Sequence, residues 1–128
     1  IVAHGETPAE PVIKGTNRAA LTADIDILAH PGMITAEDTR LAARKGIFLE
    51  ITTRRGHKET NRHVVKQALL YGAKLILNTD SHSPEDIISP EQVTANAVSA
   101  GLSRSLIAEI RSRTAVFIEK MSRTKKRR

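Results

Sequence analysis

The sequence predicts an α/β fold in which short parallel strands alternate with helices. Four apolar runs recur along the chain, and their first residues are 24, 22 and 27 positions apart. Segments with the apolar spacing of helices lie between these runs. The runs are continuously apolar rather than alternating, which is typical of strands that are covered on both faces of a parallel sheet.

The elements follow one another in chain order. The predicted strands are residues 1–3, 25–29, 47–51 and 74–77. Thr35 is a helix N-cap with acidic residues in the turn that follows, and Gly46 is the corresponding stop. A second helix is expected to begin at Thr60 and to end at Gly72. Further helices are predicted over 90–100, which begins with proline, and over about 103–121.

Polar side chains follow the predicted strands at their C-terminal ends. These residues are His4, His30, Glu50, Asp80 and His82. Enzymes built as βα barrels place their chemistry at that end, so the pattern favours a barrel over an open sheet. Because four strands are about half of such a barrel, we expect the C-terminal half of one barrel domain over 1–121. The other half would lie upstream or on a second chain.

The composition restricts the kinds of metal site, cross-link and location that the chain can have. The 128 residues include no cysteine, which excludes disulfides and thiolate metal sites, so that any metal would bind to His, Asp and Glu. We find neither an apolar run long enough to span a bilayer nor a signal-like start, so the expected location is cytoplasmic with no membrane partner.

The positive charge is concentrated at the C-terminus. The net charge is +6, and the last six residues contain five basic side chains. Residues 1–122 carry 15 basic and 14 acidic side chains, so that the body of the protein is nearly neutral. Residues 122–128 are predicted to be a disordered basic tail, which either solubilises the protein or contacts nucleic acid or another partner.

The segment Asn78-Thr79-Asp80-Ser81-His82 carries the clearest chemical signal. Asp80 and His82 lie two residues apart beyond an apolar run, so both point the same way from the strand end. An Asp-x-His pair can hold one divalent metal through an oxygen and a nitrogen.

Taken in order, these motifs resemble the PHP (polymerase and histidinol phosphatase) family. The similarity lies in His4-Gly5-Glu6, the segment 26–32 around Ala29-His30-Pro31-Gly32, Leu49-Glu50-Ile51, Thr60-Asn61 and the segment 77–82. It extends to about residue 102 and is greatest with the stand-alone, histidinol-phosphatase-like branch. The resemblance implies the C-terminal half of a distorted (β/α)7 TIM-like barrel, with the family's first ligands upstream of residue 1.

The resemblance also implies a metal-dependent phosphoesterase. His4, His30, Asp80 and His82 match family metal ligands, and up to three divalent ions (Mn, Fe or Zn) are implied in the complete domain. Asp80 and His82 are the expected catalytic residues. Metal-activated water would attack a phosphate monoester on a small-molecule substrate. Without its missing half, this chain is expected to be inactive.

Other residues are assigned supporting roles. Arg54, Arg55 and His57 follow the third strand and are candidates for binding the substrate phosphate, with an ordinary solvated loop as the alternative. Glu50 is expected to orient a ligand histidine from behind or to form a structural ion pair. Asn61 is expected beside it, either to cap and bridge loops or to touch substrate.

Two further functions remain open at this point. One is a non-catalytic RNA-associated barrel subunit similar to a ribonuclease P protein component, which the basic tail would suit. The other is a PHP domain linked to a DNA polymerase.

Overall fold

The structure is a computed structural model that describes residues 1–125. Four strands form its sheet, in the order in which they occur in the chain. They are β1 (Val2–His4), β2 (Ile27–Ala29), β3 (Phe48–Thr52) and β4 (Lys74–Asn78). All three neighbouring pairs are parallel. The predicted α/β fold with a four-stranded parallel sheet is therefore confirmed.

Five α-helices connect or follow the strands. They are α1 (Thr16–Thr22), α2 (Ala36–Lys45), α3 (Asn61–Tyr71), α4 (Pro90–Ser99) and α5 (Arg104–Lys125). Short 3-10 turns at Lys58–Thr60 and Pro84–Asp86 precede α3 and α4. The sequence did not single out α1, which is only seven residues long and has no acidic residue in its first turn.

The predicted helix boundaries are confirmed by the caps. The Thr35 side chain accepts a hydrogen bond from the backbone N–H of Asp38, which satisfies one of the free donors at the start of α2. Gly46 and Gly72 end α2 and α3 with φ angles of 70° and 73°, a left-handed conformation that glycine adopts without steric cost.

The apolar core lies between one face of the sheet and the helices. Leu49 and Ile51 of β3 are fully buried there, together with Val64 of α3 and Ile107 and Ile110 of α5. Side chains alternate along a strand, so Glu50 points to the opposite face of β3 from Leu49 and Ile51. This opposite face carries the polar residues.

Loops that follow β1 and β2 are pressed together at the C-terminal end of the sheet. The Gly5 N–H donates to the Ala29 carbonyl at 2.9 Å. A Cβ on Gly32 would lie 1.8 Å from the backbone oxygen of Glu6, so that only glycine fits there. This close approach holds the ends of the two strands, and with them His4 and His30, in fixed positions.

The sheet remains open within residues 1–125, with β1 and β4 at its two edges. The resemblance implied the C-terminal half of a PHP-type barrel, and the described residues show a four-stranded parallel sheet without showing that it belongs to such a barrel. The helix α5 continues to Lys125, so it includes the first residues of the predicted tail. Residues 126–128 lie outside the described part, and disorder of the tail stays a prediction. No helix in residues 1–125 is long and apolar enough to cross a membrane.

Candidate functional site

Six polar side chains meet at the C-terminal end of the sheet, and we call them the strand-end cluster. Its members are His4, His30, Glu50, Arg54, His57 and Asp80. The sequence named all six as candidate site residues. They meet because parallel strands place their C-terminal ends at one edge.

Glu50 and His30 form the buried centre of the cluster. Both are fully or almost fully buried. The Glu50 carboxylate accepts the His30 backbone N–H at 2.7 Å, lies 3.2 Å from His30 Nδ1, and accepts the Asn78 amide N–H at 2.8 Å. A buried carboxylate needs such partners, because burial without them costs several kcal/mol. Glu50 therefore fixes the position of His30, while its predicted role behind a metal-binding histidine stays a prediction.

His4 completes a chain of contacts through His30. His4 Nδ1 lies 3.0 Å from His30 Nε2, so one of these two nitrogens carries the shared hydrogen. The other ring nitrogen of His30, Nδ1, faces Glu50 and lies 3.6 Å from the Asp80 carboxylate. Both nitrogens of His30 are thus engaged by other side chains.

Arg54 covers the open side of the cluster. Its Nη1 donates to Asp80 Oδ2 at 3.0 Å and lies 3.4 Å from His82 Nε2. Glu10 Oε1 lies 4.0 Å from the same nitrogen, at the distance of a loose ion pair and without a hydrogen bond. Arg54 and Asp80 are largely buried, with side chains 25% and 14% exposed.

His57 packs beside His30 with the ring centroids 4.5 Å apart. Its Nε2 lies 3.4 Å from Glu10 Oε1, while its Nδ1 is buried without a hydrogen-bond partner. Burial lowers the pKa of His57 below 6.5, and repulsion by His30 and Arg54 lowers it further, against smaller opposing effects of Glu10 and Asp80. Burial therefore favours the neutral form of His57.

Two members of the strand-end cluster have an unusual backbone. His30 and Asp80 adopt positive φ angles of 31° and 50°, and they are the two non-glycine residues in the described chain that do so. Such conformations cost about 1–3 kcal/mol and persist where surrounding contacts hold them. Here the holding contacts are the bond from the His30 N–H to Glu50 and the ion pair between Asp80 and Arg54.

Three predicted site residues lie elsewhere. His82 is at the exposed rim, where its Nδ1 contacts the Asp80 carbonyl at 2.8 Å. Asn61 bridges α3 to the end of β3 through the N–H and carbonyl of Thr52, which is the loop-bridging role that the sequence left open. Arg55 is exposed.

Sequence reasoning missed Glu10 and did not connect Asn78 to Glu50. Glu10 lies in a loop with no regular spacing, so no pattern in the sequence marks it. Asn78 ends β4 directly beside Thr52 of β3, and the parallel register of these strands would have suggested its contact.

Comparison with known proteins finds similarity both in sequence and in structure. No family model matches the chain. The "Uncharacterized protein MJ1295" of Methanocaldococcus jannaschii is 47% identical over 103 residues, which are 80% of this chain and 47% of that protein. The chain therefore spans about half the length of the curated relative that it matches.

The structural match is to a chain in a cryo-EM structure of archaeal ribonuclease P with mature tRNA. Its TM-score is 0.67 at 22% sequence identity, and the match covers 92% of this chain and 55% of that chain. The likeness shows a shared fold.

These findings make the PHP assignment wrong, together with the histidinol-phosphatase-like hydrolase that it implied. No family model supports it, and the structural similarity is to a ribonuclease P chain instead. The contacts give the physical reason. The residues that carried the resemblance bind one another and Arg54, and in residues 1–125 no three His, Asp or Glu side chains are arranged to hold a metal ion. One fold can host many functions, so polar residues at the strand ends do not by themselves identify a phosphatase.

The roles assigned to individual residues stay predictions. Divalent metal binding by His4, His30, Asp80 and His82 stays a prediction, and so do the catalytic roles of Asp80 and His82. Phosphate binding by Arg54, Arg55 and His57 also stays a prediction. As they are arranged, the ligand residues do not fit a metal ion, because protein hydrogen bonds and ion pairs engage their donor atoms.

Proposed function

We propose that this chain is part of a non-catalytic, RNA-associated subunit similar to a ribonuclease P protein. The observation that carries the proposal is the fold shared with a ribonuclease P chain over 92% of the sequence. That chain belongs to a structure that contains mature tRNA, so RNA is the partner that the likeness suggests.

The charge distribution supports an RNA partner. The net charge of +6 comes almost entirely from five basic residues among the last six. Lysine and arginine side chains bind RNA by replacing the counterions of its phosphates, and this attraction does not depend on base sequence. With one tyrosine, two phenylalanines and no tryptophan, the chain has few aromatic side chains on which bases could stack. We infer that any contact is mainly with the phosphate backbone.

We also propose that the four strands form part of a barrel that is closed by further strands. The match covers 55% of the structural neighbour and 47% of the sequence relative, so both proteins have comparable lengths of chain beyond it. At the β1 edge, Ile1 and Val2 are 71% and 57% exposed, which suits an edge that another strand covers. The additional strands would come from the same protein or from a second chain.

Fluorescence anisotropy with a labelled tRNA transcript tests the RNA partner. We expect binding that unlabelled tRNA competes away and that weakens as salt is raised from about 50 to about 200 mM. A single-stranded DNA of the same length is the matched control for simple charge attraction, and we expect it to compete less well. Absence of tRNA binding at the lowest salt would contradict the proposal.

A parallel assay tests whether the chain is non-catalytic. The chain is incubated with the labelled tRNA and, separately, with a generic phosphate monoester, each with added Mn²⁺. We expect intact RNA and no release of phosphate. Hydrolysis of either substrate, lost in Asp80→Asn, would restore the interpretation as an enzyme.

A further inference from the structure

A surface cleft lies between α5 and the first residues of β3 and β4, and we call it the α5 cleft. Its volume is about 360 Å³. Sites for small molecules typically have volumes of about 300–1,000 Å³, so the cleft has room for one nucleotide of an RNA chain. Its lining includes three apolar side chains and three cationic ones, namely Phe48, Val116, Phe117, Lys74, Arg113 and Lys120.

The α5 cleft carries a local excess of positive charge. Residues 1–122 contain 15 basic and 14 acidic side chains, so the body as a whole is nearly neutral. Among the described residues, however, no Asp or Glu lines this cleft. Glu109 pairs with Arg113 from one turn earlier in α5, but both side chains are exposed, so water screens that pair. The cleft therefore suits an anionic ligand.

Lys74 is held in position over the ring of Phe48. Its Nζ lies 5.5 Å from the ring centroid, within the range of about 6 Å at which a cation is attracted to an aromatic face. Phe48 in turn packs against Phe117, with the ring centroids 5.0 Å apart. Because Phe48 is only 6% exposed, its ring supports the lysine side chain and offers little surface on which a base could stack. The cleft is thus better suited to a phosphate group than to a base.

The helix α5 connects the cleft to the basic end of the chain. Arg113 and Lys120 are seven residues apart, which is about two helical turns or 10.5 Å, so they lie on the same side of α5. Arg123, which also pairs with Glu119, follows about one turn later. A polyanion that enters the cleft can therefore continue along α5 without crossing an apolar face.

We propose that the α5 cleft binds the phosphate of one nucleotide in a single-stranded segment of RNA, and that the same strand continues along α5 to the basic end of the chain. The Lys74 ammonium and the Arg113 guanidinium pair with the phosphate oxygens, for which a guanidinium is well suited. This inference rests on the proposed RNA partner and names the surface of the folded body that contacts it.

Fluorescence anisotropy with a labelled tRNA transcript tests the proposal on three forms of the chain. These are the wild type, the double variant Lys74→Gln/Arg113→Gln and the control Lys58→Gln/Arg62→Gln. The control loses the same charge from a second cleft, beside α4, which Glu59 also lines. At about 100 mM salt we expect the first double variant to bind at least about threefold more weakly than the wild type, with a slope of log K against log salt less negative by about 0.7. The control should bind like the wild type.

Equal binding by all three forms, or an equal loss in the two variants, overturns the proposed cleft but leaves the RNA partner in place. Circular dichroism shows whether the double variant is folded, and Lys74→Gln alone replaces it if it is not.

NMR with a uridine tetranucleotide separates failure of the cleft from failure of the proposed function. We expect the tetranucleotide to shift the amide resonances of Lys74, Arg113 and Phe117. If these shifts occur but the wild type does not bind tRNA, the RNA-associated subunit is wrong and the cleft remains a nucleotide site. Absence of the shifts overturns the cleft, whatever tRNA does. Shifts that appear only as the protein concentration is raised would instead show an interface between copies of the chain, and they too would overturn it.

Discussion

Glu50 shows how one residue links the strands of the strand-end cluster. Its carboxylate contacts His30 after β2 and Asn78 at the end of β4, while its own backbone lies in β3. Three neighbouring strands are thus joined through one buried side chain. Such a group stabilises the fold only while all its partners are present. Each donor or acceptor that loses its partner inside the protein lowers the free energy of unfolding.

We predict that Glu50→Ala destabilises the protein by about 3 kcal/mol, because it leaves the buried His30 N–H without an acceptor and removes the bond to the Asn78 amide. Urea unfolding measures the change. Glu109→Ala is the control, because Glu109 is paired with Arg113 on the exposed face of α5. That pair should contribute less than about 1 kcal/mol. Equal effects of the two substitutions would show that the Glu50 contacts are not stabilising.

The sequence predicted those candidate site residues that lie at or just beyond the end of a strand. His4, His30, Glu50 and Asp80 each follow or lie within an apolar run, so their convergence followed from the parallel arrangement. Glu10 was not predictable, because its contacts with Arg54 and His57 depend on the path of a loop. The contact of Arg54 with Asp80 was not predicted either, because it also depends on loop paths. Phosphate binding by Arg54 stays a prediction.

At the scale of an element, the turn between β4 and α4 depends on one carboxylate, that of Asp86. Asp86 Oδ2 accepts the backbone N–H groups of His82 and Ser83 at 2.9 and 3.0 Å. The hydrogen bond from the His82 backbone, with a smaller contribution from Ser83, lowers the pKa of Asp86 below the usual 3.8. This contact sets the direction in which the chain leaves Asp80 and His82.

We predict that the turn formed by Asp86 is intact above pH 3.8 and is lost as the pH falls further, because the folded carboxyl has the lower pKa and must take up a proton. Amide resonances of His82 and Ser83, followed by NMR from about pH 6 to about pH 2, report the change. Asp86→Asn should remove the pH dependence of both resonances. A midpoint above 3.8 would contradict the assigned hydrogen bonds.

Helix limits were the most predictable elements. Thr35, Gly46 and Gly72 act within one turn of their own helix, so their effect is local and the sequence displays it. The short helix α1 was not singled out. It begins after Gly15, without a side-chain cap, and its place is fixed by packing of Leu21 in the core.

At the scale of the whole molecule, the concentration of basic residues and the polar cluster lie in different parts of the sequence. Five basic residues lie among the last six, two of them within α5, while the strand-end cluster is formed by residues between 4 and 80 at the C-terminal ends of the β-strands. The proposed RNA contact and the buried cluster therefore use different residues. Substitutions can test them independently.

We predict that replacing the four basic residues at 125–128 by serine lowers the salt dependence of tRNA binding. If each contacts one phosphate, the slope of log K against log salt becomes less negative by about 3, at about 0.7 per contact. The control replaces four exposed basic residues of the body by serine, namely Lys14, Arg44, Lys66 and Arg104. An equal change in the control would show that the RNA contact is not specific to the tail.

The sequence by itself determined the alternation of strands and helices, the helix limits and the polar residues at the strand ends. These features depend on spacings of a few residues, which the sequence displays directly. Only the tertiary structure decided which of those polar residues contact one another. The pairs His4 with His30, His30 with Glu50, and Arg54 with Asp80 are 26, 20 and 26 residues apart. Their geometry depends on strand register and loop paths, which no local spacing encodes. The residues that resembled a metal centre in the sequence are therefore seen in the structure to contact mainly one another.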